Sequence, residues 1–306
     1  MISRKATPAK SDNKARDVSN FLSKPILVDP LWTMRRWLIV PIEAYNRHRS
    51  MNPFKPKILR YESLPSTNDE AARWAAQGAE EGLAVVAEEQ TAGRGRLQRT
   101  WVSPKGAGLY CSVLLRPKIS QERWPLITFV GVLSVSDSLS EACGLKTDIK
   151  WPNDLLASER KICGILAEVI DTEMGRAIVL GMGINVTNEA FPPELTSVAI
   201  SVEEATGQRY EKSSILHALL NALRRWYPLL QEIDGDQKIL AEWSSRSSYA
   251  EGKIIKVVNG GETITGTTRG LGSDGALRLE TETGDVIAIR AGDVSSVRAS
   301  AMSDML

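Results

Sequence analysis

From residue 58 onward, apolar and polar positions alternate in blocks whose period changes from strand-like to helix-like and back. The pattern predicts strands at Ile58–Glu62, Leu83–Glu88 and Leu109–Leu115. Between the first two, Ser66-Thr-Asn-Asp-Glu offers a helix cap and an acidic first turn, continued by Ala71, Ala72, Trp74 and Ala75. Pro125–Ala142 is long, apolar and helical. A short strand at Asp148–Trp151 stops at Pro152. Two more strands, Ile162–Ile170 and Ala177–Leu180, are joined by a turn at Glu173–Arg176, and Ser213–Ile233 and Gln237–Ser244 carry apolar residues at helical spacing. The mixture predicts an α+β layer of strands and helices up to about residue 247.

The period shortens after residue 250. Lys253–Val258, Thr263–Thr268, Ala276–Glu280 and Val286–Arg290 alternate with turn signals at Asn259-Gly-Gly, Gly272-Ser-Asp-Gly and Thr283-Gly-Asp. These runs predict a second, small β-barrel or sandwich over 248–306. At the other end, residues 1–24 are polar and read as disordered. Residues 31–50 can form a short amphipathic helix, and 50–57 read as a linker punctuated by Pro53 and Pro56. The expected domains are therefore an extension (1–57), a main domain (58–247) and a C-terminal domain (248–306). Met51 heads the linker and is a candidate translation start; the intact mass of the native protein decides this.

The net charge of the 306 residues is +1, but it is unevenly spread. Residues 1–50 hold ten Lys/Arg against four Asp/Glu, leaving a mildly acidic body that does not resemble a general nucleic-acid binder. Cys111, Cys143 and Cys163 have no metal-ligand spacing and suit buried thiols in a reducing compartment. With His48 and His217 alone, a multi-histidine metal site is excluded. No apolar run is read as approaching the roughly 20 residues of a membrane span, and Trp37–Ile42 is short and broken by Pro41. The expected location is cytoplasmic.

Four clusters carry candidate chemistry. In Gln90-Thr-Ala-Gly-Arg-Gly-Arg-Leu-Gln-Arg-Thr-Trp101, Gly93 and Gly95 allow sharp bends, while Arg94, Arg96 and Arg99 offer forked donors for carboxylate or phosphate. The loop lacks the third glycine of a dinucleotide fingerprint and the Gly-Lys-Ser/Thr end of a P-loop. Lys150-Trp-Pro-Asn-Asp154 sets an acid and a base beside a turn. Lys161-Ile-Cys-Gly164 puts an ammonium at the start of an apolar strand, and Gly181-Met-Gly-Ile-Asn185 lets backbone approach a ligand before an amide. Singly, each has a plain structural explanation: a solvated basic turn, a Pro-Asn-Asp turn, an edge lysine, a glycine-relieved bend. Ser158-Glu-Arg-Lys161 also spells a Ser-x-x-Lys motif, but no Lys-Thr-Gly follows.

Together with Ser66-Thr-Asn68, these clusters resemble, in order and spacing, the biotin protein ligases over about residues 58–298. The resemblance implies a mixed-sheet ligase domain followed by a small SH3-like β-barrel. It implies ATP and biotin as substrates, Mg2+, and two steps: formation of biotinyl-5′-AMP with release of pyrophosphate, then transfer to a lysine of a carboxylase's biotin carrier domain. By the same resemblance, Ser66, Thr67, Asn68, Gln90, Gly93, Arg94, Gly95, Arg96, Lys161 and Gly164 bind biotin. Arg96, Arg99, Trp101, Lys150 and Asn185 serve ATP, Asp154 holds the metal, and Lys161, Arg94 and Arg96 are catalytic. Leu97-Gln98 departs from the family, in which many members have another glycine.

The alternatives are a lipoate–protein ligase, whose Arg-Arg-x-x-Gly-Gly-Gly pattern is absent, and a regulator that senses biotinyl-AMP. Sequence-specific DNA binding is not expected, because the Pro-broken 31–50 segment lacks two helices with a tight turn. Family members are monomers or homodimers, and the Ala177–Leu180 strand is a candidate edge for pairing with a second copy or the acceptor.

Overall fold

The strands read from residue 58 onward assemble into one seven-stranded mixed sheet in a computed structural model that describes residues 56–188, 192–259 and 261–296. The readings of residues 1–55, including the candidate helix and Met51, lie outside these residues. In chain order the sheet strands are β1 (Lys57–Tyr61), β2 (Leu83–Ala87), β3 (Gly108–Leu115), β4 (Asp148–Lys150), β5 (Asp154–Ala157), β6 (Arg160–Thr172) and β7 (Gly175–Asn185). Their spatial order is β1-β2-β3-β7-β6-β5-β4, with β1 and β2 parallel and the other neighbours antiparallel.

Alternation along the strands separates two cores. In β2, Leu83 and Val85 face helix α1 (Thr67–Ala76), which covers one side of the sheet through Ala71 and Ala75. Ala84 and Val86 face the larger core formed with α2 (Leu126–Cys143), α4 (Lys212–Trp226) and α5 (Gly235–Ser245); a short α3 (Val202–Thr206) precedes α4. The predicted cap of α1 is present: Ser66 Oγ accepts from the Asp69 amide, with Asp69 and Glu70 in the first turn. This cap fixes the position of Thr67 and Asn68 at the sheet.

The C-terminal domain is a five-stranded antiparallel sheet built from β8 (Glu251–Asn259), β9 (Glu262–Leu271), β10 (Leu277–Thr281), β11 (Val286–Ile289) and β12 (Asp293–Ser296), in the order β11-β10-β9-β8-β12. Its inner residues Ile255, Leu277, Leu279 and Val294 join the larger core. Trp151 Nε1 donates to Gly275 O at 3.1 Å, and a Cβ at Gly275 would lie 2.7 Å from the Phe129 ring. The two domains therefore share a packed boundary.

Four expectations change. The strand Ala177–Leu180 is not an edge: it belongs to β7, which lies between β3 and β6. Among the described strands the sheet ends at β1 and β4, and the far half of β6 is also open, with Leu166–Thr172 pairing with β7 alone. Gly181 and Gly183 do not bend β7, which runs through them to Asn185. The predicted helix 213–233 ends at Trp226 and continues as a 3-10 turn over Tyr227–Gln231, because Pro228 has no N–H for the helical ladder. Finally, against the expectation that no apolar run approaches a membrane span, Gln121–Cys143 is long and apolar enough to cross one by length and composition. In the fold it is the central helix of the core, with Leu126, Ile127, Val130 and Leu133 buried.

Candidate active site

Where β6 and β7 run side by side, Gly164 and Gly183 are register partners and leave a flat place in the sheet. The Trp101 indole lies on it. A Cβ at Gly183 would fall 2.5 Å from Trp101 Nε1, and one at Gly164 would fall 3.1 Å from the ring. The indole N–H is buried and has no hydrogen-bond partner. Trp101 is carried by the Gly/Arg loop, which folds on itself: Trp101 N donates to Gly93 O (2.9 Å) and Gly95 N to Arg99 O (2.7 Å). At the loop tip, Leu97 (φ 54°) and Gln98 (φ 59°) both adopt the left-handed region, which non-glycine residues enter at a steric cost.

One end of the cleft under this loop is cationic. The Lys161 ammonium lies 2.7 Å from Asp154 Oδ1 and 5.3 Å from the Trp101 ring centroid. Lys161 is fixed through its backbone: its N–H donates to Val198 O (2.8 Å), and its carbonyl accepts from Ile200 N (3.0 Å) and Asn185 Nδ2 (3.2 Å). Arg96 reaches in from the loop and donates to Asn153 Oδ1 (3.1 Å), while Asn153 Nδ2 donates to Ile165 O (2.8 Å). Burial pushes the pKa values of both Arg96 and Lys150 down; the carboxylates of Asp154 and Asp293 offset this only in part. Arg99 pairs with Asp293, which β12 of the C-terminal domain brings to the cleft.

The other end is uncharged. Thr67 donates to Gln90 Oε1 through its N–H (2.8 Å) and its hydroxyl (3.1 Å), and Gln90 Nε2 donates to Ser103 Oγ (2.9 Å). The buried Ser112 Oγ lies 2.7 Å from Thr67 Oγ1 and 2.6 Å from Asn68 Oδ1. A hydroxyl donates one proton at a time, and because the Thr67 N–H already holds Gln90, the Thr67 hydroxyl is free to turn to Ser112 while Ser112 donates to Asn68; oxygen lone pairs remain here for a ligand's N–H groups. The two ends open into one cleft of about 620 Å3.

Residues 61–185 match the biotin/lipoate A/B protein ligase family, and residues 252–296 match the biotin protein ligase C-terminal domain. The chain is 36% identical over 235 residues to the bifunctional ligase/repressor BirA of Bacillus subtilis, covering 74% of this chain and 70% of that protein. The chain belongs to the biotin protein ligase family. It is likewise 32% identical to the biotin–[acetyl-CoA-carboxylase] ligase of Mycobacterium tuberculosis, over 76% of this chain and 86% of that one. Its fold superposes on the biotin protein ligase from Aquifex aeolicus, solved in complex with biotin and ATP, with a TM-score of 0.69. Identity there is 30%, over 80% of this chain and 100% of the other.

For this ligase, the cleft gathers Ser66, Thr67, Asn68, Gln90, Arg94, Gly95, Arg96, Arg99, Trp101, Lys150, Asp154, Lys161, Gly164 and Asn185 from the sequence-derived set. Gly93 lies beneath the loop, where a Cβ would meet Trp101 O at 2.4 Å. Arg94 and Arg96, read alike in the sequence, differ here. The Arg94 guanidinium bonds Asp69 (2.6 Å) and Glu168 (3.0 Å), and is 44% exposed. Asn185 spends both N–H groups on the Lys161 and Ile200 carbonyls, leaving its Oδ1 as its acceptor. Sequence reading missed Ser112, Asp293, Tyr249 and Ser296. Ser112 sits in an apolar strand with no motif around it, and the others reach the cleft only because the C-terminal sheet packs against its mouth.

Proposed function

We propose that this chain activates biotin with ATP and transfers it to a lysine of a carboxylase's biotin carrier domain. The observation that carries this reading is the division of a single cleft into an uncharged, acceptor-rich end and a half-buried cationic end. Biotin has this division itself: a ureido head with two N–H donors, an apolar body, and a carboxylate that must meet the negatively charged ATP.

In this reading Ser66, Thr67, Asn68 and Gln90, with the buried Ser112 behind Thr67 and Asn68, receive the ureido group. The apolar body lies against the Trp101 ring that covers Gly164 and against the loop stem at Gly93–Gly95. The carboxylate then reaches Lys161 and Arg96. One of its oxygens attacks the α-phosphorus of ATP; pyrophosphate leaves with the broken P–O electron pair, and a carboxylic–phosphoric anhydride forms. Lys161 and Arg96 stabilise the charge that builds up on the carboxylate and phosphoryl oxygens. Trp101 and the Asn185 acceptor serve adenine, while Arg99 and Lys150 serve the triphosphate. In the second step the acceptor amine attacks the carbonyl carbon, AMP departs, and the amine loses a proton. The loop over the cleft shields the anhydride from water.

Mg2+ fits this site as a companion of the nucleotide. Asp154 Oδ1 is buried, and its contact with Lys161 is an ion pair rather than a directed hydrogen bond. No group of three or more His, Cys, Asp or Glu residues is gathered among the described residues. One carboxylate plus phosphate oxygens and water is an ordinary magnesium environment. When bound, the ion supplies charge neutralisation between the phosphates.

The acceptor comes in trans, since no Met-Lys-Met segment, the usual carrier signature, occurs in the chain. The open half of β6 beside the loop is the edge along which a carrier domain, or a second copy in a homodimer, would add a strand. A cytoplasmic location accords with the ATP requirement and with three free, buried thiols. We keep protein modification, without sequence-specific DNA binding, as the activity; tight operator binding at physiological salt in a gel shift would overturn that part. The deciding experiment incubates the chain with biotin or lipoate, ATP, Mg2+ and a carrier domain. Mass spectrometry should find a single biotin on the carrier, none with lipoate, and little self-modification.

A further inference from the structure

Arg94 and Trp101 begin and end the Gly/Arg loop, and one chain of polar contacts links both to the uncharged end of the cleft. It runs from Arg94 Nη2 to Glu168 Oε2 (3.0 Å), and from Asn68 Nδ2 to the same oxygen (2.6 Å). It continues through Ser112, whose proton goes to Asn68 Oδ1 when the Thr67 hydroxyl turns toward Ser112, and through the Thr67 N–H to Gln90 and on to Ser103, whose hydroxyl donates to Trp101 O (3.1 Å). Asn68 cannot swing out of this chain: it is 6% exposed, and a Cβ at Gly181 would lie 2.2 Å from its Oδ1.

We infer that Glu168 is a positioning residue that couples occupancy of the ureido pocket to the seating of the loop, by holding Arg94 and Asn68 on one carboxylate oxygen. A ligand that hydrogen-bonds Thr67 fixes the buried Ser112 behind it, and through Ser112 the Asn68 amide. That amide fixes Glu168, and Glu168 holds the loop through a charged hydrogen bond. Asp69 also pairs with Arg94, at 2.6 Å, but it is 57% exposed and has no bond to Asn68, so it holds the loop without reporting on the pocket.

The inference rests on the biotin reading, and the test separates the two. Biotin binding to the full chain is measured by calorimetry, and loop seating by trypsin cleavage after Arg94, Arg96 and Arg99 with and without biotin. For Glu168→Ala, the biotin Kd should rise about tenfold, the size expected for one lost charged hydrogen bond, and biotin should no longer slow cleavage. Glu168→Gln, which keeps the shape and an acceptor, should lie between. Asp69→Ala should shift the Kd less than about twofold and keep the biotin-dependent protection. Arg94→Ala combined with Glu168→Ala should be little worse than the worse single variant. In pyrophosphate exchange, Glu168→Ala should raise the KM for biotin more than it lowers kcat. A Glu168→Ala protein that folds, binds biotin like wild type and retains protection overturns the inference while leaving the function intact, and so does an additive double variant. A wild-type chain that does not bind biotin overturns both.

Discussion

The two ends of the cleft solve opposite problems. At the Thr67–Gln90–Ser112 end, neutral groups largely satisfy one another at 2.6–3.1 Å, and the ligand completes a network that already exists. At the Arg96–Lys150–Lys161 end, three cations face Asp154 and Asp293, and burial opposes the charge of Arg96 and Lys150. The first end is preorganised by hydrogen bonds and the second is left short of anions. On the proposed function, shape and donor pattern govern recognition at one end and charge at the other.

This contrast can be broken by substitution. Lys161→Ala and Arg96→Ala should each lower biotin-dependent pyrophosphate exchange about 100-fold or more, because they remove charge stabilisation where the reaction develops it. Near wild-type rates for both would show that the cationic end is not where the chemistry happens. Next in size, Gly181→Ala drives a methyl into the Asn68 amide. The resulting overpacking costs about 1–3 kcal/mol and should raise the biotin Kd roughly ten- to a hundredfold, with the KM for ATP changed far less. Calorimetry and steady-state kinetics on the same preparation separate the two ends.

Ionic strength sharpens the comparison without any substitution. Raising salt from about 0.05 M to about 0.5 M should increase the KM for ATP several-fold and the biotin Kd by less, since biotin brings a single carboxylate to the cationic end and ATP a triphosphate. The smallest effect is expected at the loop tip. Gln98→Gly relieves one left-handed residue, and the gain should be below about 1 kcal/mol because glycine is freer in the unfolded chain. Urea denaturation with and without biotin measures it.

What could be read in advance follows from how locally each feature is encoded. The α1 cap, the β6–β7 turn and the Gly/Arg loop each lie within a dozen residues, and each appears where the pattern placed it. β5, at Asp154–Ala157, escaped because four residues between turns carry little periodicity. β12 escaped because Asp-Val-Ser-Ser is a weak strand sequence that pairs only through β8. The sheet order was also beyond local reading. Ala177–Leu180 looks like any short apolar strand, and only the pairing with β3 on one side and β6 on the other makes it central. In the site, residue types were legible but their partners were not. Nothing in Gly-Arg-Gly-Arg distinguishes Arg94, turned to Asp69 and Glu168, from Arg96, turned to Asn153.

The packed boundary between the two domains has a consequence for swapping parts among relatives. A chimera cut near residue 247 would look tidy on paper, with a whole ligase domain on one side and a whole β-domain on the other. The seam does not fall there. Trp151 reaches across to the Gly275 carbonyl, Phe129 leaves room only for a glycine at that position, and Arg99 on the ligand loop holds Asp293 from the far sheet. A transplanted C-terminal domain has to arrive with its matching tryptophan, phenylalanine and loop arginine, so these segments have to be moved as a set.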